Sequence, residues 1–373
     1  NDLFIITIGG VEPDGSNGCT DLTNVILEAA ATAMTTEPSL GLRWNEKMPE
    51  LTARYAHECI KRGLGFPSIK NDEVAINSLV EGFGGTGGQP VREARRWSLA
   101  LCMSPGRTGR HGGQRTRWAL SSYTAKMLEL ALSDGYDYSY TDMQLGPKTG
   151  DPKKFKTFDD LVQAYKVQYQ YVHAVLTRSR DLTRYLEARY LQSPFISSLD
   201  DECVERGLDG IEWEEYCIPW FNVMDEVVVA DSLTAVKKLV FEDKKYTMQQ
   251  LVEALRNNWE GFEDMRLDFW NAPKWGNDDD YADDVAKNVF RYNALELKQN
   301  TNLFGSYNKP LPQHVALYWN LGPRIGATPN GRRHGEVLDD GGNSPYMGCD
   351  KKGPTAVLNS CAKIDYSLQK GVL

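Results

Sequence analysis

The chain has 373 residues, 41% of them hydrophobic, with a formal net charge of −9. That is enough apolar material for a large core, and it argues against disorder or a fibre. The negative balance and the lack of any Lys/Arg-rich block exclude nucleic acid as a partner, and no apolar run approaches the roughly 20 residues that cross a bilayer.

In chain order, Leu3 to Ile8 reads as a strand; the opening residues carry no basic leader. Leu22, Val25, Ile26, Ala29, Ala30 and Ala33 keep a 3.6-residue stripe after a Thr20 or Asp21 cap, which predicts a helix. Leu40 to Trp44 is a second strand, and Pro49 and Gly63 bracket a second helix. Glu73 to Val80 is helical. Trp97, Leu99 and Leu101 alternate like a short buried strand, and Pro105, Gly106, Gly109, Gly112 and Gly113 then forbid a helix, so Cys102 lies near the tip of a loop.

A helix is predicted from Ser121 to Gly135, and the longest one from Thr157 to about Leu191, with Thr157 capping and Asp160 reaching back. Glu226 to Val229 and His314 to Trp319 read as strands, while Thr247 and Gln250 open another capped helix. Strand and helix alternating without a repeat or linker predicts an α/β layered or barrel fold, residues 1–373 forming a single domain.

The seven cysteines (19, 59, 102, 203, 217, 349 and 361) show no paired or metal-finger spacing, which predicts a reducing cytoplasm and no metal. His57 and Cys59 read as structural. Gly82 to Gly87 fits the dinucleotide fingerprint by letters, but a helix precedes it where a strand is required. The acidic run Asn277 to Asp280 with Asp283 and Asp284 lacks the glycine and closing Glu of a calcium loop.

Cys102 is read in two ways. As a free cysteine it is a small buried hydrophobe; as a reactive thiol it needs activation, and His111 is the sole imidazole nearby. Arg117 is suited to a bidentate grip on a carboxylate, as are Arg107, Arg110 and Arg115.

Cys102-Met103-Ser104-Pro105-Gly106, with Gly113-Gln114-Arg115-Thr116-Arg117 behind it, resembles the active-site loop of the fumarate-adding glycyl radical enzymes, the benzylsuccinate synthase type. Gly65 to Asp72, Gly326 to Arg333 and Asp350 to Ser360 resemble further motifs of the wider glycyl radical family, in order. The resemblance implies a partial ten-stranded β/α barrel of the pyruvate formate-lyase type. The chain lacks the family's long N-terminal portion and its C-terminal glycine loop, so it is expected to be an internal piece of a larger subunit.

The resemblance also implies the chemistry. A glycyl radical on a glycine outside this chain, installed by a radical S-adenosylmethionine activase, oxidises Cys102 to a thiyl, which activates a hydrocarbon for addition to fumarate. Arg117 holds a fumarate carboxylate; Leu101 and Met103 flank the sulfur. Trp220, Asn222 and Met224, and with them Gln313 and Val315, line the substrates. A second catalytic subunit and small accessory subunits are implied as partners. Eliminases and decarboxylases of the family resemble a pattern with Glu two residues after the cysteine, where this chain has Ser104, and that difference favours addition. An eliminase or decarboxylase, and a non-catalytic barrel homologue, stand as the alternatives.

Overall fold

The computed structural model describes residues 5–80, 90–100, 104–106, 121–212, 220–313 and 317–369. Strands β1 (Ile5–Gly9), β2 (Ser39–Trp44) and β3 (Ser68–Asn71) form a parallel sheet in the order β1-β2-β3. The helices Asp21–Ala33 and Glu50–Lys61 are its crossovers, as parallel pairing requires. Ile8, Leu27, Leu40, Leu42, Ala56 and Cys59 make a small apolar core between sheet and helices.

β4 (Ser98–Ala100) and β5 (Ser104–Gly106) pair antiparallel, Ser98 opposite Gly106 and Ala100 opposite Ser104. β6 (Ser121–Tyr123) leads into the helix Thr124–Ala131, and β7 (Tyr136–Asp137) with β8 (Met143–Gln144) makes a small hairpin. β9 (Trp220–Met224) and β10 (Lys309–Pro312) complete a second parallel sheet in the order β10-β9-β6. The helices Phe158–Tyr190, Glu226–Val236 and Asp280–Gln299 pack around it, and the main core runs between them. Buried Lys309 joins the two halves, its ammonium donating to Ser78 O and Oγ and to Ser367 O. The α/β class is therefore the one expected. No helix among the described residues is long and apolar enough to cross a membrane.

Where local chemistry dictates an element, the prediction holds. Thr157 caps Phe158–Tyr190 while Asp160 accepts from the Thr157 N–H, and Thr247 with Gln250 opens Met248–Arg256 in the same way. Glu50–Lys61 starts after Pro49, and Gly63 follows it in the left-handed region.

Four expectations need correction. The first helix buries Thr23, Leu27 and Ala31, while Leu22 and Val25 face solvent; with apolar residues on more than one side, periodicity did not single out the packed face. Ser121 to Tyr123 is a strand, and the helix begins only at Thr124. Glu226 to Val229 is helical: every residue of Glu226–Val236 is buried, so no polar face marks the period and three consecutive valines mimic a strand. The final strand lies at Lys309–Pro312, ahead of the predicted His314 to Trp319, and Tyr318–Leu321 is helical. Two prolines hid β10 from the sequence reading, yet at alternate positions they forfeit donors on one edge alone, leaving the other to pair with β9.

Candidate active site

Side chains alternate across a strand, so Asn222 and its neighbours in β9 point to opposite faces. Phe221 and Val223 pack outward against Leu297 and Leu176. On that outer side His173 lies between the rings of Tyr169 and Phe221, and burial pushes its imidazole down to about 3, which keeps it neutral.

The opposite face carries Asn222. Its cross-strand partners are Ser121 of β6 and Leu311 of β10, and Gln313 lies just past the end of β10. Asn222 Nδ2 donates to Ser121 Oγ at 3.4 Å, and Gln313 Nε2 donates to Asn222 Oδ1 at 3.3 Å. Asn222 is fully buried and Gln313 nearly so. Strands β6 and β9 and the residue just past β10 thus contribute one polar side chain each to a continuous row. Each amide keeps further hydrogen-bonding capacity, Asn222 a second N–H and Gln313 its carbonyl.

The C-terminal ends of these strands carry two more functional groups. Tyr123 ends β6, its phenol pushed up by burial and by the charge of Asp225, against the opposing pull of Arg324 and a hydrogen bond with Ser121. Asp225 follows β9 directly, fully buried with φ +66°. A non-glycine residue in the left-handed region is uncommon, and Asp is among the side chains that tolerate it. Ligand sites of parallel sheets form at this end of the strands.

Of the residues predicted from sequence, Asn222 and Gln313 are brought together. Met224 is buried in the main apolar core beside Val227 and Val228. Trp220 begins β9, its side chain outside the described residues. Cys102, Leu101, Met103, Arg117 and Val315 also lie outside the described residues, although β4 and β5 flank Cys102 in sequence. Ser121, Tyr123 and Asp225 were missed. Ser121 and Tyr123 had been assigned to a helix, and a single Asp after Met224 carries no spacing signal.

Gly82 to Gly87 lies outside the described residues. Arg332, within the Gly326 to Arg333 segment, is fully buried and donates to five carbonyls, those of Gly322, Ile325, Gly326, Glu336 and Val337. In the acidic run, Lys363 Nζ binds Asp278, Asp280 and Asp283 at 2.7–3.0 Å, and Asp279 caps the helix Asp280–Gln299. No group of three metal-ligating side chains occurs among the described residues. Cys59 is buried with its thiol on Leu27 O, and His57 bonds Ala53 O.

Residues 1–318 match the family model described as pyruvate formate lyase-like. The trans-4-hydroxy-L-proline dehydratase of Clostridioides difficile is 32% identical over all of this chain and 46% of its own length. The isethionate sulfite-lyase of Bilophila wadsworthia (strain 3_1_6) is 36% identical over 95% of this chain and 42% of its own. Among solved structures, the glycerol-bound B12-independent glycerol dehydratase from Clostridium butyricum superimposes with a TM-score of 0.89 at 31% identity, over 99% of this chain and 46% of that one. The chain therefore spans a little under half the length of the relatives it matches.

These relatives overturn the reading of the Cys102 loop as fumarate-adding. They are dehydratases and sulfite-lyases, so fumarate and a hydrocarbon are withdrawn as substrates. The loop Cys102 to Gly106 with Gly113 to Arg117 carried that reading and Ser104 reinforced it, whereas the likeness along the whole chain is to dehydratases and sulfite-lyases. The fold, the ordered motifs and the extent of these matches agree: the chain belongs to the pyruvate formate lyase-like family of glycyl radical enzymes.

Proposed function

We propose that the intact protein is a glycyl radical eliminase acting on a small polar substrate, one with a hydroxyl on the carbon that gives up hydrogen. The observation that carries this reading is the buried row Ser121, Asn222 and Gln313. Its amides and hydroxyl suit polar groups, whereas a hydrocarbon would leave their remaining capacity unmet. The relatives named dehydratase and sulfite-lyase support the same class.

The family's glycyl radical, installed by a radical S-adenosylmethionine activase, supplies the one-electron oxidation that makes a thiyl of Cys102. Cys102 takes a hydrogen atom from the hydroxyl-bearing carbon, with Asn222 and Gln313 holding the substrate's polar groups. The leaving group departs from the adjacent carbon with the bonding electrons, and the hydroxyl releases its proton. Cys102 then returns the hydrogen atom to the adjacent carbon, giving a carbonyl product. Water or sulfite is the leaving species, and the protein ends in its starting state.

Proton transfer needs a group within reach. Ser104 stands where the family's eliminases resemble one another in having Glu, and we assign the task to Asp225, which is buried at the end of β9 and acts on Tyr123.

The test is to activate the intact protein without oxygen and quantify its radical by electron paramagnetic resonance. It is then offered glycerol, propane-1,2-diol and isethionate. We expect carbonyl product or sulfite from one of them, with Asp225→Asn loading radical normally but turning over at least about 100-fold more slowly. Radical-loaded protein that consumes none of the three would overturn the reading.

A further inference from the structure

We infer that the buried Asp72–Arg43 pair is the positioning device of the reactive hairpin, an inference that rests on Cys102 being the hydrogen-atom carrier. The chain that enters β4 is gripped at every second residue. Arg43 Nη2 donates to Arg95 O at 2.7 Å. Two residues on, Trp97 Nε1 donates to Asp72 Oδ1 at 2.6 Å, and the Arg43 guanidinium lies 4.8 Å from the centre of the Trp97 ring. After two more, Leu99 N donates to Thr7 Oγ1 at 3.0 Å. The Leu99 side chain enters the space left by Gly41, where any Cβ would overlap Leu99 Cδ1. Thr7 belongs to β1, Gly41 and Arg43 to β2, and Asp72 directly follows β3. Two strands of the first sheet and the residue that follows the third therefore hold the segment that precedes Cys102, and β5 returns along it.

Asp72 joins these holds. Its carboxylate accepts from Val11 N at 2.9 Å, from Arg43 Nε at 2.8 Å and from Trp97 Nε1. It is fully buried, and the Arg43 side chain is 9% exposed. A buried ion pair recovers little net stability after desolvation, but it fixes geometry, because neither charge tolerates losing its partner. A hydrogen-atom carrier has that need, since displacement by about 1 Å can cost a hundredfold in rate. This also gives the Asp that closes the Gly65 to Asp72 motif a task that core packing does not require.

Asp72→Asn keeps the volume and an acceptor but removes the charge. In the intact, unactivated protein, alkylation of Cys102 by iodoacetamide, followed by mass spectrometry, reports on the hairpin whatever the substrate is. Asp72→Asn is expected to raise that rate by about tenfold and, after activation, to lower kcat by about 100-fold with KM changed by less than about threefold. Thr52→Val is the control, because it removes a part-buried hydrogen bond to Asn24 between the two helices of the same unit. It should lower the melting temperature without changing Cys102 labelling. Should Asp72→Asn not fold, Thr7→Val removes only the acceptor of Leu99 N, and labelling should rise about threefold. Unchanged labelling in the hairpin variants, or an equal rise in Thr52→Val, would overturn the inference. If labelling responds but none of the polar substrates is consumed, the positioning stands and the proposed reaction falls.

Discussion

Asn222 is the hinge of the polar row, donating to Ser121 and accepting from Gln313. Asn222→Leu keeps most of the volume but strands the Gln313 amide. We expect a stability loss of about 1–3 kcal/mol in chemical denaturation and a fall in kcat/KM of at least about tenfold. Asp231 gives a different signature. It is buried in Glu226–Val236, accepts from Trp275 N at 2.8 Å, and burial raises its carboxyl from 3.8 to about 7, Lys274 opposing. Between those two values the folded chain holds a proton that the unfolded chain has lost. Its contribution to stability is therefore complete below about pH 4 and declines as pH rises towards 7, by at most about 1.4 kcal/mol per pH unit. Asp231→Asn, which cannot titrate and still accepts from Trp275, should melt above the wild type at pH 8 and lose that advantage at pH 4. Identical pH profiles would refute this. Asn222 was legible because a motif contained it; Asp231 was not, since nothing in a run of valines and alanines tells a buried acid from an exposed one.

At the scale of elements, sequence was readable wherever the determining chemistry is local. Caps act over three residues, which is why Thr157 and Thr247 mark their helices correctly. Thr157→Ala should cost about 1 kcal/mol, measurable by chemical denaturation, and an unchanged midpoint would mean that tertiary packing alone sets the start of the long helix. Elements whose identity is settled by burial were not readable. Glu226–Val236 has no polar face to betray its period, and β10 is written Lys-Pro-Leu-Pro. The site inherits that blindness: Ser121 was assigned to a helix because the three residues of β6 are too few to impose alternation on the helical pattern that follows.

For the whole molecule, the α/β class follows from alternating elements, but the pairing of Ser121 with Asn222, about a hundred residues apart, leaves no trace in periodicity. The barrel came from resemblance, and so did the mistaken chemistry, because one fold hosts many reactions and the site decides between them. Two of the apolar cores among the described residues differ markedly in size. The larger runs from Ala125 to Ile364, and the smaller, from Ile8 to Leu64, serves only the first sheet and its helices. A small core opens at lower cost than a large one. Native-state hydrogen exchange should therefore find the amides of β1, β2 and Glu50–Lys61 opening together, ahead of those in Glu226–Val236; simultaneous exchange of both sets would contradict this. Thr7, Gly41 and Arg43, three of the residues that grip β4, lie on the sheet that the smaller core serves, so a sub-global opening there would loosen the cysteine arm while most of the barrel stayed folded. Loss of activity on warming or in mild denaturant would then precede any loss of bulk helical signal.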